Sequence, residues 1–409
     1  MDTALDDWGS NYLRLCLRLD RHISGFVDAY SGPPKLREAV QAEELRPIAT
    51  LLEDVIDLQR TLPAQGYEVR RDTFLAKQLR AIETVILKLS GESFPYREEV
   101  ERCFDISPSW VEEARFLEIH QELDEVLPGD GALQQRLRAY RDRSIVTEER
   151  VLPLIQIVLG ELRRRTHDLV PMPEGEEVEV GLVRDKPWAG YHWYLGQFRS
   201  RIEMNVDLPT RAHGLLELFG HEAYPGHHTE ATMKEHLLYR GQGHAEAAIA
   251  PLLTPANVIA EGVGNTGYRV IFEDTERLRW KNEVLYPQAG VEPVDLEQAL
   301  RLERARRGLR HVPSNAALLL HEQGKSGEEV MAYLEHYALD TTEEAEHMLR
   351  FLESPLFRAY TFCYDTGEDL IEAAMTRLGD RRSLFRRLLT EPWTPSALAA
   401  LADTGSSDL

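Results

Sequence analysis

Residues 221–228 read His-Glu-Ala-Tyr-Pro-Gly-His-His, imidazoles on either side of a carboxylate within an otherwise helical stretch. Neutral imidazole is a favoured ligand for zinc and related ions. A glutamate next to the first histidine is placed to take a proton from a water that such an ion activates, without binding the ion itself. The combination points to metal-assisted hydrolysis, but the spacing is unusual. Helical zinc motifs set two histidines four residues apart on one face, whereas His221 and His227 are six apart. At about 100° per residue, an undistorted helix aims these two in different directions. His228 returns to the face of His221 roughly 10 Å further along the axis, too far to share an ion held at about 2 Å. The Pro225-Gly226 step resolves the conflict. Proline removes a backbone donor and crowds the preceding turn, and glycine tolerates dihedrals that other residues avoid. A break there is expected to swing His227 back beside His221.

A third ligand is expected downstream. Glu261 lies between Val258-Ile259-Ala260 and Gly262-Val263, and a charged side chain is seldom buried unless it is paired or metal-bound. A glutamate on a following helix completes the His-His-Glu set of thermolysin-like sites. His244 and Glu246 also follow the octet and are rivals for this third position, as His228 is for the second. Glu217, one turn before His221, is placed to orient its ring. His192, His311 and His321 have no spacing that implicates them.

The octet and the later Glu261-Gly262 step resemble a bacterial zincin-like family catalogued as a domain of unknown function, family 885. That family is related to helical metallopeptidases, including the Taq-type metallocarboxypeptidases. The matching positions are His221, Glu222, Pro225, Gly226, His227, His228, Glu261 and Gly262. Shorter echoes are Asp28-Ala29-Tyr30-Ser31-Gly32-Pro33, Leu320-His321-Glu322-Gln323-Gly324 and Tyr364-Asp365-Thr366-Gly367. There are two departures: Val263 stands where Trp is common, and Thr229-Glu230 follows the double histidine. The resemblance implies a zinc-peptidase-like site. His221, His227 and Glu261 would hold Zn2+ and Glu222 would act as general base. Tyr364 would donate to the developing oxyanion, with Tyr360 as the alternative. The expected substrate is a peptide. A non-peptide amide or ester is the second reading. The third is a binding protein that keeps the fold without turnover, against which an intact Glu222 argues, since a structural site needs no base.

Positioning such groups takes a large frame, and 409 residues at 43% hydrophobic can bury a substantial core or two adjoining ones. A formal charge of -22 argues against nucleic acid or an anionic membrane as the main partner. Cys16, Cys103 and Cys363 are widely spaced and odd in number, which fits a reducing cytoplasm better than a disulfide framework. The acidic first residues lack a secretory pattern, and no apolar run approaches the ~18 residues of a membrane span.

The expected fold is mainly α, zincin-like, with a small antiparallel sheet just before the metal-binding helix. Residues 1–170 form an N-terminal helical region and 171–409 a catalytic region, joined in one continuous unit. Helical spacing is plain at Phe74, Leu75, Leu79, Ile82, Val85 and Ile86. Alternation at Val178, Val180 and Leu182 and at Ile202, Met204 and Val206, around the aromatic-rich 191–195, predicts about three strands. Such a strand edge is where zincins commonly lay out a substrate backbone. Asp207, two residues before Pro209, is the expected start of the octet helix. Ser109/Glu112, Ser326/Glu329 and Thr341/Glu344 have the spacing of capping boxes. The arginines at 301, 304, 306, 307 and 310 are expected to form a solvated face with salt bridges, though one could hold a substrate carboxylate.

Overall fold

The computed structural model describes residues 5–186, 190–207 and 209–404. The chain is mainly helical, as expected, with two small sheets. Amphipathic helices of the first third pack Tyr12, Leu15, Leu79, Ile82 and Phe104 together with Ala316, Leu318, Val330 and Leu334 from far down the chain. A second core gathers Ile155, Val158 and Leu162 of helix Glu148–Leu169 with Ile202, Leu216, Phe219, Val263, Ile371 and Phe385. Fully burying side chains such as Leu216 and Phe219 stabilises the fold by about 1.5–3 kcal/mol each. The two cores do not divide at residue 170. Helix Glu148–Leu169 belongs to the second, and much of 302–363 returns to the first.

Four helices matter for the site: α1 (Ala212–Glu222), α2 (His227–Lys234), α3 (Pro255–Ile271) and α4 (Phe362–Leu378). Helix α3 is the seam between the cores, giving Val258 to the first and Ile259 and Val263 to the second. It packs closely along α4 because both helices carry glycine where they meet. A Cβ on Gly262 would stand 2.5 Å from the carbonyl oxygen of Gly367, and one on Gly367 would collide with the carbonyl of Val258. The Glu-Gly and Tyr-x-x-Gly echoes in the sequence therefore mark a backbone-to-backbone crossing.

The strand prediction holds in part. Strands β2 (Glu177–Val183), β3 (Gly190–Gly196) and β4 (Arg199–Asn205) form one sheet in the order β2-β4-β3. The β3–β4 hairpin is antiparallel, but β2 runs parallel to β4, so the sheet is mixed. Alternation of side chains reveals a strand and its faces, not its neighbours. A further pair, β1 (Val27–Tyr30) with β5 (Ile249–Pro251), had no sequence signal strong enough to find it.

Both late capping boxes form, at Ser326/Glu329 and Thr341/Glu344. The Ser109/Glu112 box does not. That helix begins at Glu113, because the Asn315 side chain bonds both the N–H and the C=O of Val111 and holds the segment out of helix. Helix α1 likewise starts at Ala212 rather than after Asp207. Thr210 and Arg211 first bridge to residues 144–146, and the Asp207 carboxylate accepts from the Asp185 N–H.

Candidate metal centre

Helix α1 ends at Glu222, and α2 begins at His227 after a break over residues 223–226. The break lies where the Pro-Gly step predicted it. Gly226 folds directly onto the end of α1: a Cβ there would overlap the carbonyl oxygen of His221 and sit 2.6 Å from that of Gly220. The result places the two imidazole rings 4.5 Å apart, nearly perpendicular. Helix α3 supplies Glu261 from the other side. Its Oε2 lies 3.2 Å from His221 Nε2 and 3.9 Å from His227 Nε2. One donor atom from each residue falls within 4.8 Å of the other two. Two donors about 2.1 Å from a common ion at the tetrahedral angle stand about 3.4 Å apart, and the observed separations bracket that value. Among the described residues no hydrogen bond reaches the buried Glu261 Oε2, which is costly for a carboxylate oxygen unless a cation takes the place of the donor. A His-His-carboxylate donor set suits zinc. The three residues fit a metal ion.

The surrounding groups fix these donors. Tyr360 donates to Glu261 Oε1 at 2.7 Å, leaving Oε2 to face the histidines. Asn265 gives its amide N–H to the carbonyl of Tyr364 at 3.1 Å, so its Oδ1 faces His221 Nδ1 at 3.0 Å. That bond holds the ring as the Nδ1–H tautomer and turns the lone pair of Nε2 toward Glu261. Gly264 makes room for the ring, since a Cβ there would come within 2.5 Å of His221 Nδ1. Electrostatics agree with a cation at this point. Burial opposes a charge on His221, but the nearby carboxylates of Glu261 and Glu222 outweigh it and raise the imidazole to about 9. Burial, reinforced by His221, lowers His227 to about 4.

Glu222 makes no hydrogen bond to a described residue and lines a cleft of about 280 Å³ together with His221, His227, Glu261, Tyr360 and Tyr364. Burial raises its carboxyl to about 7. His221 opposes the rise, and the charges of Glu261 and Asp28 add to it. Tyr364 is 37% exposed, and among the described residues its hydroxyl has no hydrogen-bond partner. Strand β3 is the outer strand of its sheet and lines the cleft with Gly190, Tyr191 and His192.

The rival ligands have other partners. His228 is fully buried between Ser200 (2.7 Å) and Glu176 (3.0 Å) and ties α2 to the sheet region. Glu246 makes a two-point ion pair with Arg71, and His244 lies 3.7 Å from that same carboxylate. Glu217 does not orient His221. Arg277 and Lys281 claim it, both at 2.6 Å, and Asn265 takes the orienting role. Asn265 is four residues after Glu261, a same-face spacing that could have revealed it. None of the arginines of 301–310 lines the cleft. Arg301, Arg304, Arg307 and Arg310 pair with acids, and several border a separate cavity. Val263 is buried in the second core, so the departure from Trp at this position does not alter the cleft. Replacing Asn265 with Ala is expected to weaken zinc affinity about 10–100-fold while preserving the fold, as a competition titration against a chelator would show.

No family model matches this chain, and no curated protein matches it. Among solved structures, a "putative lipoprotein" of Colwellia psychrerythraea superposes with a TM-score of 0.53 at 15% identity over 86% of this chain. This chain spans 65% of the length of that protein. A protein of Shewanella oneidensis, described in similar words and as of unknown function, gives a TM-score of 0.50 at 13% identity, covering 87% of this chain and 72% of its own. These two share the fold. An M32 carboxypeptidase of Deinococcus radiodurans R1 aligns over 98% of this chain and 93% of its own at 13% identity, with a TM-score of 0.37.

Proposed function

We propose that this protein is a zinc-dependent hydrolase of peptide bonds, with Glu222 as its general base. The observation that carries the reading is the convergence of His221, His227 and the unpartnered Oε2 of Glu261 beside Glu222 in an open cleft. These three residues would hold a zinc ion, which would supply Lewis acidity toward a carbonyl and toward water. The chain's own groups do the rest. The Glu222 carboxylate takes a proton from the attacking water and passes it to the leaving nitrogen. The Tyr364 hydroxyl, without a hydrogen-bond partner among the described residues, donates to the carbonyl oxygen as it gains charge. Asn265 and Tyr360 keep His221 and Glu261 from turning away. The edge of β3, running past Glu222, gives a peptide backbone a place to lie, and that favours peptides over small isolated amides.

Among the described residues no helix is long and apolar enough to cross a membrane, and all three cysteines are free and buried. We retain a cytoplasmic location on the cysteines, while the two structural neighbours are described as lipoproteins. Metal analysis tests the site: purified protein is expected to carry about one zinc per chain, and His221→Ala to carry none. Full zinc content in His221→Ala would refute the ligand assignment.

A further inference from the structure

Among the described residues, two carboxylates in the cleft lack a basic partner. Glu230 pairs with Lys234, Glu246 with Arg71, and Glu261 belongs to the histidines. Glu222 is the proposed base, which leaves Asp28. It sits on β1 at the point where pairing with β5 slips register between Val27 and Ala29. Such irregularities re-aim side chains and are over-represented at sheet edges and next to active sites. Tyr191 of β3 donates its hydroxyl to Asp28 Oδ1. Oδ2 accepts from no described residue, and Asp28 lines the cleft. Burial raises the carboxyl to about 6, the Tyr191 hydrogen bond opposes the rise, and the charge of Glu261 adds to it. Among the described residues the one lysine or arginine in the cleft wall is Lys234, already paired.

We propose that Asp28, clamped by Tyr191, is the anchor for a positively charged amine of the substrate. A carboxylate in the cleft wall with one oxygen left without a donor, in the same cleft as the candidate metal ligands, recognises an ammonium group through a charge-assisted hydrogen bond. The substrates are therefore peptides that carry either a free α-amine next to the scissile bond or a lysine-like side chain. This specificity rests on the metal-hydrolase reading and narrows it.

Hydroxamates, which chelate zinc without being hydrolysed as peptides, separate the two ideas. Zinc-loaded wild type and Asp28→Asn are titrated calorimetrically with acetohydroxamate, glycine hydroxamate and 6-aminohexanohydroxamate. Acetohydroxamate is expected to bind both proteins alike, which also reports that the variant is folded. At least one amine-bearing compound is expected to bind wild type about tenfold or more tightly than acetohydroxamate, and that preference is expected to vanish in Asp28→Asn. A gain for glycine hydroxamate assigns the anchor to an α-amine, and a gain for the longer compound assigns it to a side chain. Equal affinity of wild type for all three, or a preference that survives Asp28→Asn, overturns the anchor and leaves the metal site standing. Failure of acetohydroxamate to bind wild type overturns the metal reading and the anchor with it.

Discussion

Replacing Glu222 with Gln is expected to lower the turnover of a peptide substrate by about 10²–10⁴-fold while leaving zinc content at wild-type level. The amide keeps the size of the side chain and loses its ability to accept a proton. Glu222 is not one of the three converging donors, so the metal has no reason to leave. The carboxyl is buried in the cleft wall with no hydrogen bond to a described residue, so no structural pairing is broken by the change. Removal of one like charge also eases the crowding among Glu222, Glu261 and Asp28, and the variant is expected to unfold no earlier than wild type. Loss of both metal and activity would show that Glu222 is a ligand. Retention of both would leave the chemistry without its base. Parallel metal analysis, thermal unfolding and peptide cleavage distinguish these outcomes.

The contrast between legible and illegible features follows the range of the interactions. The Ser326/Glu329 and Thr341/Glu344 caps close within four residues, and both form. Ser109/Glu112 has the same local signal, yet Asn315, 204 positions away, decides the outcome. At the site, the clustering of His221, His227 and Glu261 could be anticipated because each is chemically conspicuous: histidines around a Pro-Gly step, and a glutamate in an apolar run. The supporting residues were not. Tyr360 reaches Glu261 across 99 positions, and only because Gly262 and Gly367 let α3 and α4 touch. Asn265 had a same-face spacing but no reason to be chosen over Glu217, whose carboxylate is drawn instead to the buried Lys281 and Arg277. The parallel pairing of β2 with β4 depends on which edge a strand finds, and alternation carries no record of that.

Gly226→Ala is expected to be the most disruptive single methyl group at the site. Its Cβ would overlap the carbonyl oxygen of His221, and neither atom can move independently: one belongs to the last turn of α1 and the other to the entry of α2. Relief requires the break itself to open, and opening it separates His227 from His221. The expected cost is about 3 kcal/mol or more in stability, together with loss of stoichiometric zinc. A methyl group at Gly160 is the control. That residue lies inside helix Glu148–Leu169, where a Cβ would meet nothing within 4 Å. Gly160→Ala is therefore expected to gain about 0.5–1 kcal/mol from helix propensity with zinc unchanged. Denaturant unfolding of the two variants, each with metal analysis, compares them directly. Were Gly226→Ala to keep both wild-type stability and zinc, the close folding of α2 onto the end of α1 would not be what brings the two imidazoles together.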